Sequence, residues 1–212
     1  FIWFGNGKGG WEFSRPKVPK NIGYTYGDIA AGDFNGDGVP DMAFAMHLTE
    51  MNVLKGSGNN KYAGFSEGLP SEKEFTSRAL VSADFNKDGF VDIAAAAEAP
   101  FGRRIGGMLG AAVCLGSSDG WHCRPISEKT NVDGLYADQI VAGDVNGDGN
   151  VDVGIASRQH LRDLIVWLGD GKGGFEAFNK GLPRELHYPS VAFFDVNQDG
   201  RDDLIASIAG FG

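Results

Sequence analysis

The stretch GDFNGDGVPD, residues 32 to 41, places three aspartates and an asparagine in ten positions and is followed directly by the apolar run MAFAM. The same pattern returns as ADFNKDGFVD at 83–92, GDVNGDGNVD at 143–152 and FDVNQDGRDD at 194–203. All four segments fit D-x-N-x-D-G-x-x-D. Internal repetition of this kind indicates an architecture in which each repeat is one structural unit that buries its apolar faces against its neighbours.

The spacing of the repeats is regular. Their first aspartates are Asp33, Asp84, Asp144 and Asp195, which are 51, 60 and 51 residues apart. The longer interval contains the extra stretch APFGRRIGGMLG at 99–110. A period of about 50 residues is typical of one propeller blade. The sequence therefore predicts an all-β fold built from four-stranded units.

The repeated loop carries oxygen ligands at alternate positions. Side chains at positions 1, 3 and 5 of such a loop converge on one hard cation, glycine at position 6 permits a sharp turn, and position 7 adds its carbonyl, as in EF-hand loops. An EF-hand also needs glutamate at position 12, where all four loops here are apolar, so we expect the aspartate at position 9 to serve instead. Several oxygen ligands in a flexible loop favour Ca²⁺ over Mg²⁺.

This reasoning predicts four Ca²⁺ sites. The predicted side-chain ligands are Asp33, Asn35, Asp37 and Asp41; Asp84, Asn86, Asp88 and Asp92; Asp144, Asn146, Asp148 and Asp152; and Asp195, Asn197, Asp199 and Asp203. The predicted carbonyl ligands are Val39, Phe90, Asn150 and Arg201. Since Arg201 would contribute only its carbonyl, its side chain need not point toward the ion.

The alternative interpretation is that these loops are turn scaffolding, because Asn, Asp and Gly are preferred turn formers. Four copies in register, each with the ninth-position aspartate, favour the metal. The charge agrees, since the chain has 28 acidic and 19 basic residues and a net charge of −9, which four Ca²⁺ ions would reduce to −1. Carboxylates crowded into one loop repel one another unless a cation lies among them.

The four segments, each followed by a short apolar strand, resemble the FG-GAP/VCBS-type calcium-binding repeats of integrin α-subunit propellers and many secreted microbial proteins. The resemblance covers nearly the whole chain. It implies a β-propeller with Ca²⁺ in the loop between the first two strands of each blade. The FG…GAP wording itself is poorly kept, and such propellers commonly have seven blades, whereas this chain has four motifs.

The strand pattern suggests how the blades are arranged. Apolar, alanine-rich runs precede and follow each loop, and hairpins around glycine-rich turns supply the third and fourth strands. This predicts full blades at about 28–66, 79–125 and 139–178. FIWFGNGKGGWEF at 1–13 matches LIVWLGDGKGGFEAF at 164–178, so the ends 1–13 and 190–212 would form a fourth blade and close a single domain over 1–212. The alternative is a fragment of a larger propeller.

Composition and cysteines indicate which partners the protein can have and where it folds. The acidic balance argues against nucleic acid as a partner, and no apolar run approaches the roughly 20 residues of a membrane-spanning helix. Cys114 and Cys123 flank a predicted hairpin turn and could form a disulfide or remain buried thiols. A disulfide agrees with calcium loops in an extracellular, secreted or cell-surface protein.

Function is predicted less directly. The four histidines are dispersed and no nucleophile, zinc or phosphate motif is present, so we expect no enzyme. The leading hypothesis is a structural module that forms homo-oligomers or filaments, or binds a surface protein. The alternative is a lectin-like, glycan-binding propeller. Its candidate contact surface, opposite the metal loops, comprises the loop 98–110 and Tyr24, Tyr26, His47, Phe101, Arg103, Arg104, Tyr136, His160, His187 and Tyr188. Scattered surface aromatics and a tolerated insertion would explain the same residues.

Overall fold

The structure is a computed structural model, and it describes residues 1–19, 27–47, 49–97, 111–126, 137–157, 164–183 and 188–208. Within these ranges the chain is all-β, as predicted, and every paired strand is antiparallel to its neighbour in the sheet. None of the described residues forms a helix long and apolar enough to cross a membrane.

The strands form five sheets in chain order. The N-terminal hairpin consists of β1 (Ile2–Gly5) and β2 (Trp11–Ser14). The first four-stranded sheet has β3 (Ile29–Gly32), β4 (Asp41–Phe44), β5 (Asn52–Gly56) and β6 (Tyr62–Gly64). The second has β7 (Ser77–Ala83), β8 (Asp92–Ala97), β9 (Ala111–Ser117) and β10 (Gly120–Pro125). The third has β11 (Ala137–Gly143), β12 (Asp152–Ser157), β13 (Leu164–Gly169) and β14 (Phe175–Ala177). The C-terminal hairpin consists of β15 (Ser190–Phe194) and β16 (Asp203–Ser207).

Consecutive sheets pack through their first strands: β3 lies against β7, β7 against β11, and β11 against β15. In the three four-stranded sheets the second strands are buried on both faces, as the alternation-free apolar runs predict. Ala94, Ala95 and Ala96 in β8 are fully buried because small side chains let two neighbouring sheets approach the same strand. Each pair of neighbouring sheets therefore encloses a separate hydrophobic core.

Three such cores follow one another along the chain. The first joins the first and second sheets and contains Phe34, Ile93 and Trp121. The second joins the second and third sheets around Phe85 and Trp167. A smaller core packs the C-terminal hairpin against the third sheet, and includes Ala156, Leu164, Tyr188 and Val191.

The two ends of the chain differ from the prediction. The N-terminal and C-terminal hairpins form separate two-stranded sheets, so the predicted sheet that would join 1–13 to 190–212 is not formed in the described part of the chain. Nor do the described residues bring β15 into the kind of extended contact with β3 that joins the other first strands. The apolar pattern identifies these strands, but it does not fix the packing of the chain ends against each other.

Cys114 and Cys123 face each other in the register of β9 and β10 and form a disulfide, with their Cα atoms 4.0 Å apart. This confirms the disulfide and excludes the alternative of two buried thiols. The bond ties the third strand of the second sheet to its outermost strand.

Candidate metal centre

Each aspartate-rich loop connects the first strand of a sheet to the second. The loops lie between β3 and β4, β7 and β8, β11 and β12, and β15 and β16. The glycine-rich turns between third and fourth strands emerge at the same end, because antiparallel strands alternate in direction. The Gly173 N–H of one such turn donates to the Phe85 carbonyl of the neighbouring loop, at 3.2 Å. One end of the described molecule thus gathers all four candidate sites.

The first loop shows how the predicted ligands are held. Both Asp33 carboxylate oxygens accept backbone N–H groups, from Asp37 at 3.0 Å and Gly38 at 2.7 Å. Asn35 Oδ1 also accepts the Asp37 N–H at 3.0 Å, and its amide donates to Asp37 Oδ2 at 3.0 Å. Asp37 Oδ1 accepts the Val39 N–H at 2.8 Å. The oxygens of positions 1, 3 and 5 are therefore turned into the loop.

The other three loops repeat this pattern. In each, the position-1 aspartate accepts the N–H groups of positions 5 and 6, and the position-5 aspartate accepts that of position 7. The asparagine at position 3 accepts one N–H and donates to the position-5 carboxylate. The structure thus gives four copies of one geometry to the residues predicted as ligands.

The ninth-position aspartate does more than the sequence suggested. Asp92 Oδ2 accepts the Phe85 N–H at the start of its loop, and Oδ1 accepts the Gly116 N–H at the end of β9, both at 2.8 Å. Asp41 and Asp152 make the equivalent pair of bonds in their own sheets, and all three side chains are fully buried. This carboxylate therefore fastens the loop to the third strand, whatever else it binds.

The electrostatics of these buried carboxylates indicate crowding. The pKa of Asp92 is raised to about 6, mainly by burial and also by the charges of Asp88 and Asp84, while the two N–H bonds oppose the shift. Burial likewise raises the pKa of Asp41 and of Asp152, again with the two nearby loop aspartates contributing. Positions 1, 5 and 9 therefore lie close enough to repel one another.

The fourth loop departs from the others in two ways. The Arg201 guanidinium donates to Asp199 Oδ2 at 2.6 Å and holds the pKa of that carboxyl below its usual range. The predicted role of the Arg201 carbonyl did not require its side chain to approach the site, but this flexible cation two residues away reaches the carboxylate. Asp203 Oδ2 accepts the Val196 N–H at 3.1 Å, but Asp203 Oδ1 has no hydrogen bond among the described residues.

Backbone conformation explains the glycine at position 6. Gly149 has φ +79°, in the left-handed region that favours glycine. Position 4 is also left-handed in every loop, although Lys87 and Gln198 occupy it in two of them, with φ of 60° and 62°. Glycine at position 4 of the other two loops is a sequence signal for this conformation that was missed.

The donor set fits a calcium ion. Each loop offers hard oxygen ligands: two carboxylates and an amide oxygen, with a third carboxylate behind them. A divalent cation would relieve the repulsion between the carboxylates. In the described ranges no three His, Cys, Asp or Glu side chains are gathered as a metal centre, and the loop carboxylates accept backbone N–H groups instead. The site residues remain a prediction.

The predicted contact surface opposite the loops falls mostly outside the described residues. This holds for the loop 98–110 and for Tyr24, Tyr26, Phe101, Arg103, Arg104, Tyr136, His160 and His187. His47 lies after β4, and Tyr188 is buried in the third core. Tyr188 therefore offers no ring to a sugar or protein partner.

Fold and loops together define a protein of consecutive antiparallel sheets, each with an aspartate-rich loop. Residues 144–206 match the model of the family described as FG-GAP-like repeat, so the chain carries an FG-GAP-type repeat, as the resemblance predicted. A search of curated proteins found no match. Among solved structures, the rhamnogalacturonan lyase PL11 of Bacillus licheniformis is similar at 15% identity and a TM-score of 0.48, over 85% of this chain and 39% of the lyase chain. This chain thus spans well under half of that structure's length.

Proposed function

We propose that this chain is a calcium-binding β-propeller module that acts outside the cell by self-assembly or adhesion and has no catalytic role. The proposal assigns one Ca²⁺ ion to each aspartate-rich loop. The N-terminal and C-terminal hairpins each supply half of a further four-stranded blade.

The observation that carries the calcium assignment is the fourfold loop geometry with its crowded carboxylates. A cation among positions 1, 5 and 9 would replace the N–H groups as partner of several oxygens and relieve the repulsion that, together with burial, raises the pKa of Asp92. The ninth-position aspartate already fastens the loop in the three complete sheets, so the argument for an ion is the crowding of two further carboxylates beside it.

Other observations support the setting. The Cys114–Cys123 disulfide is typical of proteins that fold in an oxidising compartment. The two described histidines, His47 and His122, lie in different sheets, in keeping with a module that binds rather than catalyses. Exposed aromatic residues on the N-terminal hairpin, among them Trp3 and Trp11, favour assembly with another surface.

Native mass spectrometry tests the calcium assignment. The chain in calcium-containing volatile buffer is expected to carry four ions and to lose them on chelation. Asp37→Asn is expected to carry three, because one charged ligand of the first site is lost.

Asp170→Asn is the matched control. Asp170 lies in the turn between β13 and β14 and accepts the Lys172 and Gly174 N–H groups, so it resembles a loop aspartate in its hydrogen bonds but has no paired carboxylates. This variant is expected to keep four ions. A wild-type chain that retains no calcium would overturn the proposal and leave the loops as turn scaffolding.

A further inference from the structure

We infer that the N-terminal hairpin of one copy of this chain pairs through β1 with the free edge of β16 in a second copy, and so completes a four-stranded sheet head to tail. The inference rests on the proposed self-assembly and names the surface and the partner that achieve it. Four observations carry it.

The N-terminal hairpin has the position of the outer half of a sheet. Where the first and second sheets meet, the Trp121 N–H of β10 donates to the Glu67 carbonyl, in the segment that follows β6, at 2.9 Å. The Tyr62 N–H of β6 donates in the same way to the Lys17 carbonyl, in the segment that follows β2, at 3.0 Å. The N-terminal hairpin therefore occupies the same position relative to the first sheet as the outer strands of the first sheet occupy relative to the second sheet.

The C-terminal hairpin is the complementary inner half. Its strand β15 packs against β11 and β12 as the first strands of the complete sheets pack against their neighbours, and β16 has a free edge where a third strand would lie. A free strand edge presents a row of unpaired backbone groups that a further strand can satisfy.

Hydrogen-bond complementarity fixes which strand fits. In the three complete sheets the ninth-position aspartate accepts the N–H of a glycine at or next to the end of the third strand, namely Gly56, Gly116 and Gly169. Gly169 faces Phe175 across its turn, and Gly5 at the end of β1 faces Trp11 in the same way. The Gly5 N–H is therefore directed to the free edge of β1, where it matches Asp203 Oδ1.

The strand register of the complete sheets gives the pairing. The residue after the ninth-position aspartate faces the residue two before that glycine, as in Met42 with Leu54, Ile93 with Cys114 and Val153 with Trp167. Applied to the hairpins, this register pairs Leu204 with Trp3 and Ile205 with Ile2.

The apolar surfaces also match. Trp3 corresponds to Trp167, yet Trp3 is 55% exposed and Trp167 is fully buried. The residue at position 2 of the first two loops is a buried phenylalanine, Phe34 or Phe85. Phe34 packs against Trp121 and Phe85 against Phe175 in the next sheet, with ring centroids 5.5 and 5.7 Å apart. In the fourth loop that position is Val196, which is 59% exposed. The proposed pairing covers Trp3 directly and places Val196 against Tyr62 of the second copy.

The partner is a second copy because β1 and β16 belong to separate two-stranded sheets within the described chain. Lys17 ties the N-terminal hairpin to β6, whereas β15 packs against the third sheet. Head-to-tail contacts are heterologous, so they close into a ring or continue as a filament. Either assembly satisfies the same strand edge.

Mixed single-cysteine variants test the pairing between copies. Trp3→Cys and Leu204→Cys are purified separately, mixed at high protein concentration and oxidised, with the native disulfide left in place. A covalent heterodimer is expected in the mixture. Trp3→Cys mixed with Ile205→Cys is the control, because adjacent strand residues face opposite sides of the sheet, and about tenfold less heterodimer is expected.

The double variant Trp3→Cys/Leu204→Cys distinguishes a ring from a filament and both from closure within one chain. A discrete closed oligomer indicates a ring and a ladder of sizes indicates a filament, and both support the inference. A product that is cross-linked only within the monomer, or no cross-link in either format, overturns it. Native mass spectrometry of the same samples tests calcium binding independently of the pairing. Cross-linking without bound calcium overturns only the proposed calcium sites, and bound calcium without cross-linking overturns only the pairing.

Discussion

At the scale of single residues, backbone conformation in the loops can be tested free of side-chain contacts. Gly149 and Gly64 both have open space where a Cβ would be added, but only Gly149 has a positive φ. Gly149→Ala is expected to lower the free energy of unfolding by about 1 kcal/mol, the cost of the left-handed conformation for an L-residue. Gly64→Ala, in β6, is the control and should be neutral or slightly stabilising. Equal urea-denaturation midpoints for the two variants would contradict the assignment.

The raised pKa of Asp92 makes stability depend on pH. Its carboxyl has a pKa of about 6 in the folded chain, above the ordinary value of 3.8, so the folded state binds this proton more tightly than the unfolded state. The stability that Asp92 contributes is therefore greatest below about pH 4 and is lost as the pH rises through about 6.

Comparison with Asp92→Asn in calcium-free buffer isolates this effect, because asparagine does not titrate. The free energy of unfolding of the wild type minus that of the variant is expected to be larger at pH 4.5 than at pH 7. A difference that stays constant across this range, measured by urea denaturation, would show that Asp92 titrates normally.

Arg201 is expected to compete with calcium in the fourth loop. Its guanidinium donates to Asp199, a predicted ligand that a bound ion would need. Arg201→Gln removes this exposed ion pair and should strengthen calcium binding at this loop about two- to fivefold. The readout is the fraction of chains that carry four ions at limiting calcium.

Arg124→Gln is the control for this change. Arg124 is an arginine of β10 that donates to the Lys172 carbonyl and approaches none of the predicted ligands. It should leave the distribution of bound ions unchanged. An Arg201→Gln profile that coincides with that of the wild type would show that the arginine moves aside at no cost.

At the scale of elements, the disulfide is the covalent support of the second sheet. Cys114 and Cys123 are separated by nine positions, and cross-linking so short a loop reduces the entropy of the unfolded chain by an amount worth about 2–3 kcal/mol. Cys114→Ala/Cys123→Ala is expected to lower the free energy of unfolding by about that much, as measured by urea denaturation under non-reducing conditions. The wild type under reducing conditions should lose a similar amount, and an undiminished midpoint in both would contradict this role.

Much of the element pattern could be predicted from the sequence, because an apolar run beside D-x-N-x-D-G has few other folds. The loops connect first and second strands as expected, and Cys114 faces Cys123. The hydrogen bond from Gly116 to Asp92 could not be predicted, because a motif names acceptors but does not say which N–H reaches them. Nor could the pairing of the chain ends be predicted, since apolar strands such as β1 and β16 look alike whether they pair within a chain or between chains.

At the scale of the whole molecule, charge and calcium are coupled. The chain has a net charge of −9, and four Ca²⁺ ions would bring it to −1. The calcium-free chain therefore carries repulsion both within each loop and across the face that gathers the loops. Because ions that bind only the folded state stabilise it by mass action, the midpoint of thermal unfolding should rise with calcium concentration.

The rise has two separable parts. Ionic strength alone screens repulsion between exposed charges, so NaCl should raise the midpoint of the calcium-free chain modestly. Specific binding should add about 2.7 kcal/mol per site to the free energy of unfolding at a calcium concentration one hundred times the dissociation constant. This should raise the midpoint further. Mg²⁺ at the same concentration controls for divalent charge and should give less, because it requires a stricter octahedral site. If calcium, magnesium and matched NaCl give the same melting temperature, the loops act only as a diffuse negative surface, and the charge of this chain serves solubility rather than ion binding.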